Sequence, residues 1–148
     1  MATRTASARW SGDVRGGQGS VELGSGAFSG TYSFGTRFEN APGTNPEELI
    51  AAAHASCFSM ALSLFLGNAG HPPKQIDTQA RVTVERQGEG FAITRSELST
   101  VADVPGIDAA AFDRCANAAK EGCPVSRALG GVTISLDARL QQGAQAQR

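Results

Sequence analysis

The segment from Asn45 to Leu66 constrains the fold more than any other stretch of the chain. Its start is well marked. Asn45 is a capping residue, Pro46 suits the first helical position, and Glu48 completes an Asn-x-x-Glu capping pattern. After Glu48 charge disappears, and small or apolar residues occupy every face through Leu66. A helix apolar all round needs cover on all sides, which marks it as a core helix. Roughly 20 such residues could also cross a bilayer. Glu47, Glu48, the Ser and His interruptions and the small host chain favour the core. Cys57 lies in the middle of this helix. By itself a thiol there reads as a small hydrophobe.

A second cysteine changes the chemistry on offer. In Glu121-Gly122-Cys123-Pro124-Val125-Ser126, Gly122 ends one helix and Cys123-Pro124 opens another. Cys123 then takes the N-cap and Pro124 the first helical position. Unpaired backbone N–H groups and the positive helix end face the sulfur and favour its thiolate. Residues alone leave two readings open, a redox pair or a core thiol beside an incidental cap.

Bulk properties narrow the class. A chain of 148 residues fits one domain, with an ordered core at about 8–140 and a polar tail at 141–148. The net charge of −1 gives no electrostatic case for nucleic acid or for an anionic membrane. The N-terminus lacks an apolar stretch of signal-peptide length, so a cytoplasmic, reducing location is expected. Three cysteines in that setting are reactive or buried rather than a disulfide framework. No Cys-x-x-Cys spacing occurs. His54-x-x-Cys57 has no further ligand nearby, so no metal site and no cofactor is expected.

Alternation and turn residues place strands at 4–12, 18–24 and 27–34, then the long helix. A hairpin follows at 76–87 and 91–102 about Gly88-Glu89-Gly90. Helices at 108–121 and 123–129 and a last strand at 132–140 complete an α+β chain. The stretch Thr36-Arg37-Phe38 either continues the sheet or leaves it. One small antiparallel sheet cannot surround the central helix, so a second subunit is expected against it.

Gly43-Thr44-Asn45-Pro46-Glu47-Glu48-Leu49-Ile50-Ala51-Ala52-Ala53-His54-Ala55-Ser56-Cys57-Phe58-Ser59-Met60-Ala61 closely resembles the central-helix motif of the OsmC branch of the OsmC/Ohr family. Gly35-Thr36-Arg37-Phe38-Glu39, Val104-Pro105-Gly106-Ile107-Asp108 and Gly122-Cys123-Pro124-Val125-Ser126 resemble its other landmarks, in order, from about residue 8 to residue 140. The resemblance implies a bacterial thiol-dependent peroxidase of the stress response that reduces organic hydroperoxides. It implies an intertwined homodimer, with antiparallel sheets enclosing two long central helices. It also implies Cys57 as the peroxide-reacting thiol, Cys123 as its disulfide partner, Arg37 as the activating cation and Glu47 as the anion that holds Arg37. The precedent for the reductant is an external dithiol such as a lipoyl-bearing protein.

These roles agree with the chemistry of the residues. Burial raises a thiol pKa, and Cys57 is too deep in its helix for the N-terminal dipole to lower it. It needs a cation, and a guanidinium keeps its charge. Glu47 and Cys57 stand ten residues apart on one helix, about 15 Å along the axis. One arginine does not easily reach both, which favours a site shared between subunits. Phe58, Met60 and Phe38 are candidate apolar neighbours for an organic substrate. His54 offers a Cys–His dyad for hydrolysis, although a satisfied core histidine is the commoner outcome, and Cys115 reads as a packing residue. The competing class is a non-catalytic protein of the same fold that binds an apolar ligand.

Overall fold

The computed structural model describes residues 1–141; the expected tail beyond Gln141 lies outside the described residues. The chain forms two compact units, one of Met1–Leu49 and one of the residues from Ile50 onward.

The first unit is an antiparallel meander of β1 (Ala6–Ser11), β2 (Gln18–Leu23) and β3 (Ser29–Tyr32), in that spatial order. Gly19 of β2 lies beneath the rings of Tyr32 and Trp10. A Cβ there would come within 2.5 Å of Tyr32 and 2.7 Å of Trp10. The glycine therefore lets the two rings pack, with centroids 5.5 Å apart.

After β3 the chain leaves the sheet in α1 (Phe34–Phe38), a turn of helix closed by a reciprocal cap. The Thr36 amide donates to Ser33 Oγ at 3.2 Å, and the Ser33 amide donates to Thr36 Oγ1 at 2.8 Å. Gly43 then turns with φ of 141°, and a Cβ there would meet Thr36 at 2.7 Å and the Thr31 carbonyl oxygen at 2.8 Å. The Thr44 amide donates to that same carbonyl at 2.9 Å, which fixes the entry into α2 (Pro46–Asn68). Asn45 caps α2 as the sequence suggests, accepting from the Glu48 amide at 2.7 Å. The reciprocal half of the box does not form. The Glu48 carboxylate instead accepts from Thr44 Oγ1 at 2.9 Å, while Asn45 Nδ2 donates to the Thr36 carbonyl at 3.0 Å.

In the second unit α2 is followed by the hairpin β4 (Gln75–Gln87) and β5 (Gly90–Asp103), then α3 (Ala109–Gly122), α4 (Pro124–Ala128) and β6 (Thr133–Leu140). The sheet order is β4-β5-β6. The expectation of antiparallel sheets holds for every pairing but one, because β6 runs parallel to β5. A parallel neighbour needs a crossover, and α3 with α4 supplies it. Asp108 caps α3, accepting from the Ala111 amide at 2.7 Å.

One stripe of α2, Phe58, Leu62 and Leu66, is fully buried against Leu98 and Ala102 of β5 and against Phe112, Cys115, Ala116 and Ala119 of α3. Their 3–4 residue spacing is that of one helical face. Each large apolar side chain so buried contributes about 1.5–3 kcal/mol. The opposite face is open within the chain, with Met60 at 78% and Leu64 at 59% exposure. A single copy thus covers only part of the apolar helix.

Candidate active site

In the first unit Arg37 and Glu47 meet. Arg37 Nε donates to Glu47 Oε1 at 3.0 Å and Oε2 at 3.2 Å, and Nη2 donates to Oε2 at 2.7 Å. This is the fork-to-carboxylate geometry that only arginine provides. The hydrogen bond to Glu47 outweighs burial and raises the Arg37 pKa above its ordinary value, so the cation is permanent. Glu47 is buried and Arg37 half-buried. The local fold explains the pairing: the Ser33 cap sets α1, and Asn45 ties the start of α2 to it. The Arg37 guanidinium also stands 5.3 Å from the centroid of the Phe38 ring. Beside it opens a cavity of about 320 Å³ lined by Trp10, Val14, Tyr32, Phe34, Arg37 and Phe38.

In the second unit Cys57 and Cys123 meet. Both thiols are free, Cys57 half-buried on α2 and Cys123 fully buried between α3 and α4. Their sulfurs are close enough to influence each other's ionisation. Burial, and then the neighbouring Cys123 thiol, push the Cys57 thiol up. Burial pushes Cys123 up as well. The Cys57 thiol, the amides of Ser126 and Val125 and the Ser126 hydroxyl outweigh it, and Cys123 is lowered. The amides lie against the sulfur without closing a formal side-chain cap at the start of α4. The Val125 amide also favours the ionised form of Cys57. Within this unit the surroundings thus favour ionisation of Cys123 over that of Cys57.

His54 is fully buried one turn before Cys57. Its Nδ1 is 2.7 Å from Ser96 Oγ on β5, and its Nε2 is 2.8 Å from Ser126 Oγ on α4. Both ring nitrogens are thus taken by serines, and no Cys–His dyad forms. Burial lowers the His54 pKa, so the ring is neutral. Ser126 holds His54 from the first turn of α4, the helix that Cys123 caps, so a chain of polar groups leads from β5 toward the cysteine pair.

The four residues singled out in the sequence thus form two pairs, Arg37 with Glu47 and Cys57 with Cys123. Two residues that sequence reasoning passed over join the second pair, Ser96 and Ser126. Ser126 stands three residues after an N-cap cysteine, the place where a side chain returns to its cap. That spacing was the available signal. Ser96 carries no signal in the sequence, because only the β4–β5 register puts it under His54. Phe58 is fully buried in the core, whereas Phe38 lines the cavity beside Arg37. Cys115 is a packing residue, its thiol donating to the Phe65 carbonyl at 3.6 Å.

Residues 38–137 match the family model described as OsmC-like protein. The chain is 53% identical over 135 residues to peroxiredoxin OsmC of Escherichia coli, covering 90% of this chain and 94% of that protein. It is 32% identical over 101 residues to the organic hydroperoxide resistance protein OhrB of Bacillus subtilis, covering 67% and 72%. In fold it is similar to the crystal structure of an organic hydroperoxide resistance protein OsmC from Legionella pneumophila. That match has a TM-score of 0.72 at 24% identity, over 94% of this chain and 99% of the other. With its family motif, its paired cysteines and its arginine–glutamate fork, the chain belongs to the OsmC family, on the side of peroxiredoxin OsmC rather than of OhrB.

Proposed function

We propose that the protein is a thiol-dependent peroxidase that reduces organic hydroperoxides to alcohols. The observation that carries this reading is the pair of free, neighbouring thiols of Cys57 and Cys123, one half-buried and one buried. The names of the relatives, a peroxiredoxin and organic hydroperoxide resistance proteins, support it.

The cycle follows from the chemistry of the residues. The Cys57 thiolate attacks the terminal oxygen of R–O–O–H; an S–O bond forms, the O–O bond breaks, and R–O⁻ leaves and is protonated to the alcohol. Arg37, held by Glu47, stabilises the thiolate and the charge growing on the departing oxygen. Cys57 becomes a sulfenic acid, Cys123 attacks it, water leaves and a disulfide closes. An external dithiol, such as a lipoyl group on a protein, reduces the disulfide. The aromatic cavity beside Arg37 suits the alkyl or aryl part of the substrate, since apolar area gains from burial.

The working form in this reading is a homodimer in the cytoplasm, with the open Met60 and Leu64 face of α2 covered by the second copy. Glu47 and Cys57 are about 15 Å apart along α2, so the Arg37–Glu47 fork of one copy serves Cys57 of the partner subunit.

Thiol counting tests the reading. One equivalent of cumene hydroperoxide should remove two of the three thiols and release one equivalent of the alcohol. Unchanged thiols would instead assign the fold to non-catalytic binding of an apolar ligand.

A further inference from the structure

We propose that Ser126 and His54 form a proton relay that takes up the Cys123 thiol proton while the disulfide closes, with Ser96 as the group that orients the imidazole. The inference rests on the peroxidase reading above and concerns its second step.

Closing the disulfide makes a specific demand on this site. A thiol attacks sulfur as the thiolate, and hydroxide leaves sulfenic acid well only when a proton meets it. Cys123 is fully buried, so bulk water does not reach its proton. The nearest hydroxyl along the chain is that of Ser126, also buried, three residues into the helix α4 that Cys123 caps, and behind it stands His54 Nε2 at 2.8 Å.

The relay uses one of the two neutral tautomers of His54, the one with its proton on Nδ1. A neutral imidazole carries one N–H. With Nδ1–H donated to Ser96 Oγ at 2.7 Å, Nε2 keeps its lone pair for the Ser126 hydroxyl. Ser126 Oγ is then free to accept from the Cys123 thiol. Ser96 sits on β5, the central strand of its sheet, so the ring is held from a rigid element. Among the described residues no buried side-chain nitrogen or oxygen lacks a partner, so the relay costs no stranded polar atom.

The step balances. The overall change is Cys57–S–OH plus Cys123–SH giving Cys57–S–S–Cys123 plus water. The Cys123 proton passes to Ser126 Oγ as the hydroxyl proton of Ser126 passes to His54 Nε2. The S–S bond forms and the S–O bond of Cys57 breaks. The Cys57 sulfur is reduced and the Cys123 sulfur oxidised by the same electron pair. The departing hydroxide takes the proton back from the relay and leaves as water. Ser126 is the catalytic residue of this step because it receives the proton of a reacting sulfur. His54 and Ser96 are positioning residues that act through it.

A purely structural role for the same serines and histidine would weaken the fold without separating the two chemical steps. Rapid-quench mixing with one equivalent of cumene hydroperoxide separates them, with dimedone capture reporting sulfenic acid and thiol loss reporting the disulfide. The ratio of the closure rate to the sulfenic-acid rate should fall about 10²-fold in Ser126→Ala, the lower range of general acid–base contributions. It should fall similarly in His54→Gln, which keeps hydrogen-bonding groups but no base. Ser126→Thr, which keeps the hydroxyl, should restore most of the ratio. Closure in the native protein should show a solvent deuterium isotope effect that Ser126→Ala loses. The relay is overturned if the ratio is unchanged in either Ser126→Ala or His54→Gln, or if Ser126→Thr closes as slowly as the alanine variant. A native protein that forms no disulfide at all removes the peroxidase reading, and the relay with it.

Discussion

Arg37–Glu47 and Cys57–Cys123 are two pairs built from opposite materials. The first is made of full charges. Its guanidinium keeps its proton, and a carboxylate fixes its direction through three contacts of 2.7–3.2 Å. The second is made of thiols, amides and hydroxyls, with a neutral imidazole behind them. Its charge is conditional, and small dipoles decide which sulfur carries it. In the proposed cycle a permanent cation suits the moment when charge grows on a departing oxygen, and a conditional site suits a sulfur that would act in turn as nucleophile, acid and disulfide.

The largest blow to the conditional pair is Cys57→Ser. A serine hydroxyl is not an adequate nucleophile toward O–O at neutral pH, so turnover should drop by more than about 10³-fold. Steady-state alcohol release by purified protein measures this, and retained turnover would move the peroxide chemistry elsewhere.

The permanent pair should be next. Arg37→Ala should slow the first step by about 10²–10³-fold, the scale of losing one donor to developing charge. The pH dependence of Cys57 alkylation should shift upward with it. Glu47→Ala leaves the cation but frees it to wander, and should cost about tenfold. An unchanged alkylation profile in Arg37→Ala would mean that the two pairs do not share one reaction.

Mixing sharpens the comparison further. If one copy's fork serves the partner's thiol, co-refolded Glu47→Ala and Cys57→Ser chains should regain about a quarter of native activity. Half the dimers would be mixed, and each would hold one intact site. If each chain builds its own site, every site keeps one defect and activity stays at the Glu47→Ala background.

The smallest expected effect concerns acid. Burial lowers the His54 pKa, so the unfolded chain binds a proton there more readily than the folded one. This stability is present above the unfolded value of roughly 6.5 and is lost as pH falls below it, by at most about 1.4 kcal/mol per pH unit. Denaturant midpoints at pH 7.5 and 5.5 should show a loss that His54→Gln reduces.

Much of this was legible in the sequence. The Asn45-Pro46 start, the charge-free run to Leu66 and the Gly122-Cys123-Pro124 junction are local signals, and the helices fall where those signals put them. The hairpin is equally local, with its turn at Gly88. The turn of helix under Arg37 was not fixed in advance, because five residues are too few for periodicity and only the Ser33 cap marks it. The parallel pairing of β6 depends on where the crossover delivers the strand. His54 was visible as a residue but not as a connector. Its partners lie 42 and 72 residues away, and such separations leave no trace in local pattern.

Cys115 gives the protein a third thiol with a different use. Its sulfur is packed into the α2–α3 core and hydrogen-bonded to the Phe65 carbonyl. Alkylating reagents meet it only when α3 parts from α2, so its rate of labelling is a clock for that opening. If the proposed cycle holds, one polypeptide carries two thiols that record exposure to oxidant and one that records the breathing of its own interior.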